Sequence, residues 1–280
     1  MNTLDLHVNH LSHFMQDTKT STLYESWWDD STVNYWRHSR LLSPVLEVLY
    51  DLRDFNWLTI GDGAGTDAWR LQKAGFNNVT ASDLSDTLLK ETHKRGYINK
   101  YSVINAEKID LPNDSFDFVL CKETLHHMSN PYQAIHECLR VSKFGIVIIE
   151  PQDPWIDSPV DNNIALPGYE EVGNYVYTFS KREIHKIAYG LNLRGVATKG
   201  QTDAYIPGCE FAHCIPGDKI WEETQQSIYL HEKHISQNLS KGSYIQSIFF
   251  KNRINEDIFE TLSRVFTEWH FQRTDTNPYL

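Results

Sequence analysis

Cysteine is scarce in this 280-residue chain, with four in all, and methionine is scarcer, with three. The thiols at Cys121, Cys138, Cys209 and Cys214 form no disulfide scaffold, and the first two fall in apolar strand and helix patterns, where cysteine acts as a small filler. Cys209-Glu-Phe-Ala-His213-Cys214 has the outline of a metal knuckle, but a structural zinc needs a fourth ligand and a tighter cysteine pair, so no metal is expected. Basic charge is also short: 26 Lys and Arg stand against 37 Asp and Glu, for a net charge of -11. That balance argues against a nucleic-acid substrate, because neutralising phosphates takes a basic surface, and the runs Lys90 to Arg95 and Lys181-Arg182 read as solvated helix faces. No apolar run approaches the ~18 residues of a membrane span, and the first residues lack a basic-then-apolar leader. The expectation is a soluble, cytoplasmic protein with no membrane partner.

What the chain does contain is a glycine-rich corner. The apolar run Trp57 to Ile60 enters a turn with Gly61, Gly63 and Gly65, and a helical pattern (Ala68, Trp69, Leu71, Ala74) leaves it. Strand, tight turn and helix follow, because glycine tolerates positive φ and lets a ligand lie against the backbone. Val79-Thr-Ala-Ser-Asp83 then places a carboxylate at the tip of a second strand, where it can accept hydrogen bonds from both hydroxyls of a ribose. The pair reads as an adenosine site. The turn alone leaves the cofactor open, since Gly63-Ala-Gly-Thr-Asp-Ala68 also satisfies a loose dinucleotide pattern.

An ordered series follows: Asn105-Ala-Glu107, Leu111-Pro112, Asp114 to Cys121, Leu125-His-His-Met128 and Asn130-Pro131. Together with the glycine turn and Asp83, it resembles the class I S-adenosylmethionine-dependent methyltransferases, in particular their small-molecule, type 11-like branch, over roughly residues 52–151. The resemblance implies an α/β, Rossmann-like fold with a seven-stranded, mostly parallel sheet and helices on both faces. It also implies S-adenosylmethionine as cofactor. Gly61, Asp62, Gly63 and Gly65 would then back the sugar and the amino-acid tail, with Asp62 near the ammonium group. Asp83 and Leu84 would flank the ribose. Asn105, Ala106 and Glu107 would surround adenine, with Glu107 narrowly the better polar partner. Lys122, Glu123 and Thr124, after the fourth strand, would lie beneath the sulfonium at the carboxyl edge of the sheet. Arg140-Val-Ser-Lys-Phe-Gly145 departs from the family by lacking the usual Lys-Pro-Gly-Gly turn, which tightens one turn away from the cofactor.

Three regions are expected: a helical lid over residues 1–51, a cofactor core over 52–155, and acceptor-pocket insertions with the remaining strands over 156–280. Residues 1–20 read as a capping helix, and a helix is expected from Leu41 to Leu52 with Pro44 near its start. Trp27, Trp28, Tyr35 and Trp36 either exclude water from the methyl group or glue the lid to the core. Arg37 or Arg40 is a candidate partner for the cofactor carboxylate. Tyr169, Tyr175, Tyr177 and Tyr205, with Glu170, Glu171 and Asn174, suit a polar, sugar-like or amine-bearing small-molecule acceptor. Methyl transfer is an in-line displacement in which orientation supplies much of the rate, and a base is needed only for a hydroxyl or a protonated amine. Glu123 and His127 are the preferred catalytic residues among Glu123, His126, His127, Glu150 and Asp153. A nicotinamide-linked oxidoreductase and a non-catalytic partner subunit are the competing classes; Asp62 and the Asn105-Ala-Glu107 loop count against the former.

Overall fold

The structure is a computed structural model, described here for residues 21–153, 168–169 and 174–274. The proposed capping helix over residues 1–20 and the acceptor residues Glu170 and Glu171 lie outside the described residues. A short helix α1 (Ser21–Ser26) and a longer helix α2 (Val33–Val48) precede the sheet. The sheet then alternates with helices: β1 (Asn56–Ile60), α3 (Thr66–Lys73), β2 (Asn78–Asp83), α4 (Thr87–Lys94), β3 (Tyr101–Val103), β4 (Phe116–Lys122), α5 (Pro131–Val141) and β5 (Ser142–Pro151). The remainder is α6 (Lys181–Gly190), β6 (Gly195–Gln201), α7 (Lys219–Ser236), β7 (Tyr244–Phe250), α8 (Glu256–Val265) and β8 (His270–Arg273).

The strands form one sheet in the order β3-β2-β1-β4-β5-β7-β6-β8, with β7 antiparallel to β5 and β6, and β8 antiparallel to β6. The sheet therefore has eight strands where seven were expected. The extra edge strand β8 is four residues long, His-Phe-Gln-Arg, too short and mixed to carry a strand pattern of its own. Alternate residues of the strands feed cores on opposite faces: Trp57 packs with Phe76, Phe118 and Phe250, while Leu58 and Ile60 pack with Ile135, Ile146 and Phe249. Burial on both faces is why the strands read as continuous apolar runs rather than as alternation.

Two local expectations are corrected. Helix α2 starts at Val33, capped by the Thr32 side chain, and Pro44 lies well inside it. A proline there removes the amide that would bond the carbonyl of Arg40. Gln201 Nε2 replaces it at 2.6 Å, with Ser43 Oγ at 3.3 Å, so the helix continues. Before β5 there is no turn to tighten, because α5 runs straight into the strand at Ser142. Lys251 Nζ donates to the carbonyls of Leu139 and Ser142, closing the helix end that a glycine turn would otherwise serve.

Candidate active site

The chain leaves β1, passes to β2 and β3 on one side, and returns to β4 on the other, so β1 and β4 flank a switch point. Ligands of open α/β sheets bind in the crevice at the carboxyl ends of such strands. Every glycine of the turn sits there at positive φ: +63° at Gly61, +56° at Gly63 and +85° at Gly65. A Cβ on Gly61 would come within 2.0 Å of the Thr124 side chain, whereas one on Gly63 would meet nothing within 4 Å. Gly61 thus permits close packing of β1 on β4, and Gly63 keeps open the space a ligand would fill. The Gly63 amide donates to Asp83 Oδ2 at 3.0 Å, and the Ser85 amide donates to Oδ1, which fixes the carboxylate beside the turn with Leu84 half-buried between.

Asp62 lies in the turn but points inward. Its carboxylate accepts from Thr59 Oγ1 at 2.7 Å and from the amides of Asp67 at 2.8 Å and Ala68 at 2.9 Å, capping α3. Burial, then the nearby charge of Asp67, raises its pKa despite these donors. In the loop after β3, Ala106 is buried and the Asn105 side chain accepts the Glu107 amide at 2.9 Å. Glu107 turns to α5 instead: Oε1 accepts from the Asn130 amide at 2.6 Å and from Ser129 Oγ at 3.1 Å.

At the end of β4 stands a buried ionic cluster. Lys122 Nζ is 2.6 Å from Glu123 Oε2, 3.4 Å from Asp67 Oδ1 and 3.2 Å from His38 Nδ1. His38 Nδ1 lies 3.0 Å from Glu123 Oε2, and the Tyr244 hydroxyl donates to Glu123 Oε1 at 2.7 Å. Glu123 itself has φ +51°, an uncommon conformation for a residue with a side chain, of the kind that clusters at ligand sites. Burial works against its ionised form, but Lys122 and then His38 hold its carboxyl well below the usual range. Burial likewise works against the Lys122 ammonium, yet Asp67 and Glu123 hold its pKa above the ordinary value. For His38, burial and then Lys122 lower the pKa. The cluster is a lysine and a carboxylate held charged, with a neutral imidazole between them.

The two histidines after β4 differ. Glu150, fully buried at the end of β5, accepts from the amides of Thr124 and Leu125, both at 2.8 Å, and its other oxygen lies 2.6 Å from His126 Nδ1. Glu150 and His126 therefore shape the turn. His127 is half-buried, its ring 3.9 Å from that of His126.

The arginines of α2 pair mainly with residues after β6. Arg37 Nε donates to Asp203 Oδ1 at 3.1 Å, a second nitrogen pairs with Oδ2, and the third donates to Asn34 at 3.2 Å and to Cys209 Sγ at 3.6 Å. Arg40 pairs with Thr202 and Glu232. The aromatic segment packs inward: Trp28 stacks on Tyr97 at 4.3 Å, Tyr35 meets Trp69 edge-on, and Trp36 meets Trp221 edge-on. Arg70, Lys73 and Arg40 lie over the rings of Tyr35, Trp69 and Trp36, so the chain's own cations occupy those faces. Of the proposed acceptor residues, Tyr169, Tyr175 and Tyr205 are exposed, Tyr177 packs on the core, and Asn174 is buried with its amide donating to the His126 carbonyl. His38, Asp67, Arg70 and Tyr244 were not singled out from sequence. The one available signal was Asp67 and Arg70, opposite charges three apart at the start of the helix that leaves the glycine turn.

Residues 58–149, the span that builds this corner, match the family described as a methyltransferase domain. Over that span the chain is similar to the class I, S-adenosylmethionine-dependent methyltransferases. The chain is 28% identical over 130 residues to the 27-O-demethylrifamycin SV methyltransferase of Amycolatopsis mediterranei, 44% of this chain and 48% of that protein. A second relative, the ubiquinone biosynthesis O-methyltransferase of Coxiella burnetii, is 26% identical over 179 residues, covering 61% of this chain and 72% of that protein. The chain thus spans about half the length of the first relative and nearly three quarters of the second. The 1,6-didemethyltoxoflavin-N1-methyltransferase of Burkholderia thailandensis shares the fold, with a TM-score of 0.52 at 13% identity over 90% of this chain and 91% of that one. Among the described residues, no helix is long and apolar enough to cross a membrane.

Proposed function

We propose that this protein transfers a methyl group from S-adenosylmethionine to an oxygen or nitrogen of a polar small molecule. The observation that carries the reading is the open space at Gly63, beside Asp83, on a turn whose Gly61 packs against Thr124 at the end of β4, next to the Lys122 and Glu123 cluster in sequence. An adenosine with an amino-acid tail suits that layout. A pyrophosphate does not, since it would bring further negative charge beside Glu123, which stays ionised.

Bound there, the cofactor would supply a methyl group on a good sulfonium leaving group. The chain's part is to bind and orient. Asp83 takes the ribose hydroxyls, the Gly61–Gly65 backbone backs the sugar, and Asn105 and Ala106 flank adenine. Glu107 leaves that role because its carboxylate holds α5. Glu123, kept ionised and strained at the strand end, orients a hydroxyl or ammonium of the acceptor. Its lowered pKa makes it a weak proton acceptor, which shifts the base role toward His127 if the acceptor needs one. Both relatives named above carry O-methylation in their names, and that favours a hydroxyl acceptor here.

The test is release of S-adenosylhomocysteine when purified protein is mixed with S-adenosylmethionine and panels of phenols, sugars and amines. Turnover with the hydroxyl panels, and its loss in Glu123→Gln with cofactor binding retained, is the expected result. Unchanged turnover in Glu123→Gln would remove that residue from the site.

A further inference from the structure

Two buried polar atoms beside the glycine turn lack partners. Asp67 Oδ1 and Arg70 Nε accept or donate no hydrogen bond among the described residues, although the residues are only 6% exposed. Burying such groups without a hydrogen bond is costly, more so for charged ones, so an arrangement that retains both calls for a ligand. Asp67 and Arg70 are three apart on α3, and Lys122 reaches the same spot from β4. The nearest cations to Asp67 Oδ1 are Lys122 Nζ at 3.4 Å and Arg70 at 3.7 Å, ion-pair distances that leave its hydrogen-bonding capacity unused.

We propose that Asp67, Arg70 and Lys122 form a receptor for a zwitterion, the α-amino and α-carboxylate groups at the tail of the cofactor. The assignment deepens the cofactor reading above and rests on it. Asp67 Oδ1 takes the ammonium; Arg70 Nε and Lys122 take the carboxylate. Charge supports the match: with Glu123 included, the cluster holds two acids and two bases, so it suits a group with no net charge better than a phosphate. Position supports it too. Asp83 marks the ribose at β2, and Lys122 lies two strands away at β4, a separation of ~10 Å at the usual strand spacing, across which the cofactor's tail extends from its sugar.

This replaces the sequence-based candidates for the tail. Asp62 points inward to cap α3, the Arg37 guanidinium is engaged by Asp203, Asn34 and Cys209, and Arg40 is engaged by Thr202 and Glu232.

The experiment compares S-adenosylhomocysteine with 5′-methylthioadenosine, which keeps the adenosine and thioether but lacks the amino and carboxylate groups. Calorimetry on the wild type, Asp67→Asn and Lys122→Gln gives the affinities. The expected result is tighter binding of S-adenosylhomocysteine by the wild type, a loss of tenfold or more in both variants, and affinity for 5′-methylthioadenosine within twofold of wild type, which also reports that the variants are folded. Equal wild-type affinity for the two ligands, or equal losses for both in the variants, overturns the receptor while leaving the cofactor reading in place. Wild-type protein that binds neither overturns the cofactor reading itself, and the receptor with it.

Discussion

The glycine corner is held by near neighbours, with Thr59, Asp67 and Ala68 converging on Asp62, whereas α2 is held by Arg37 and Arg40 on residues 166 and 162 positions away. The first arrangement is assembled as soon as one strand, turn and helix form. The second exists only when the chain before β1 meets the segment after β6. The corner forms within one stretch of chain, whereas α2 takes its place only after two distant stretches have met.

The largest effect is expected at α2. Arg37→Met leaves Asp203 buried without its partner, and a loss of about 3–5 kcal/mol is expected in urea unfolding. The double variant with Asp203→Leu should recover most of that loss, while S-adenosylhomocysteine affinity stays near wild type. A large affinity loss in Arg37→Met alone would return the arginine to the cofactor. At the corner, Gly61→Ala forces a side chain into positive φ and against Thr124, costing about 2–4 kcal/mol together. Adding Thr124→Ala should relieve the packing part and leave the backbone part, as read by unfolding.

Smaller effects sharpen the boundary of the corner. Asp83→Ala should weaken S-adenosylhomocysteine binding by ~1–3 kcal/mol, since it removes a charged acceptor from the ribose. Glu107→Ala should cost about 1 kcal/mol of stability through the lost cap on α5 and leave affinity nearly unchanged. A tenfold weaker complex would instead put Glu107 back on adenine. The smallest effect concerns pH. His38 has a folded-state pKa below its ordinary 6.5, so the unfolded chain binds that proton more readily. Its contribution to stability is complete above 6.5 and declines as pH falls toward the lowered folded value. Thermal unfolding of His38→Gln should show a shallower decline over that window than the wild type.

The same division decides what the sequence revealed. Strands β1 to β5, the glycine turn and Asp83 were legible because each rests on residues adjacent in the chain: an apolar run, a glycine at a forced φ, an acid at a strand tip. Asp62 and Glu107 were placed in the right loops but given the wrong direction, since a carboxylate beside a helix start caps that helix whether or not a ligand is near. The cluster of His38, Asp67, Lys122 and Tyr244 was hidden, because its members come from four elements that only the folded sheet brings together. Pro44 misled for a related reason: its helix survives through Gln201, a residue that no local pattern associates with it.

The most direct measurement is calorimetric titration of the purified protein with S-adenosylmethionine, S-adenosylhomocysteine and NAD in parallel. The account predicts micromolar binding of the first two and none of the third. Binding of NAD alone would contradict it and make the glycine turn a dinucleotide site.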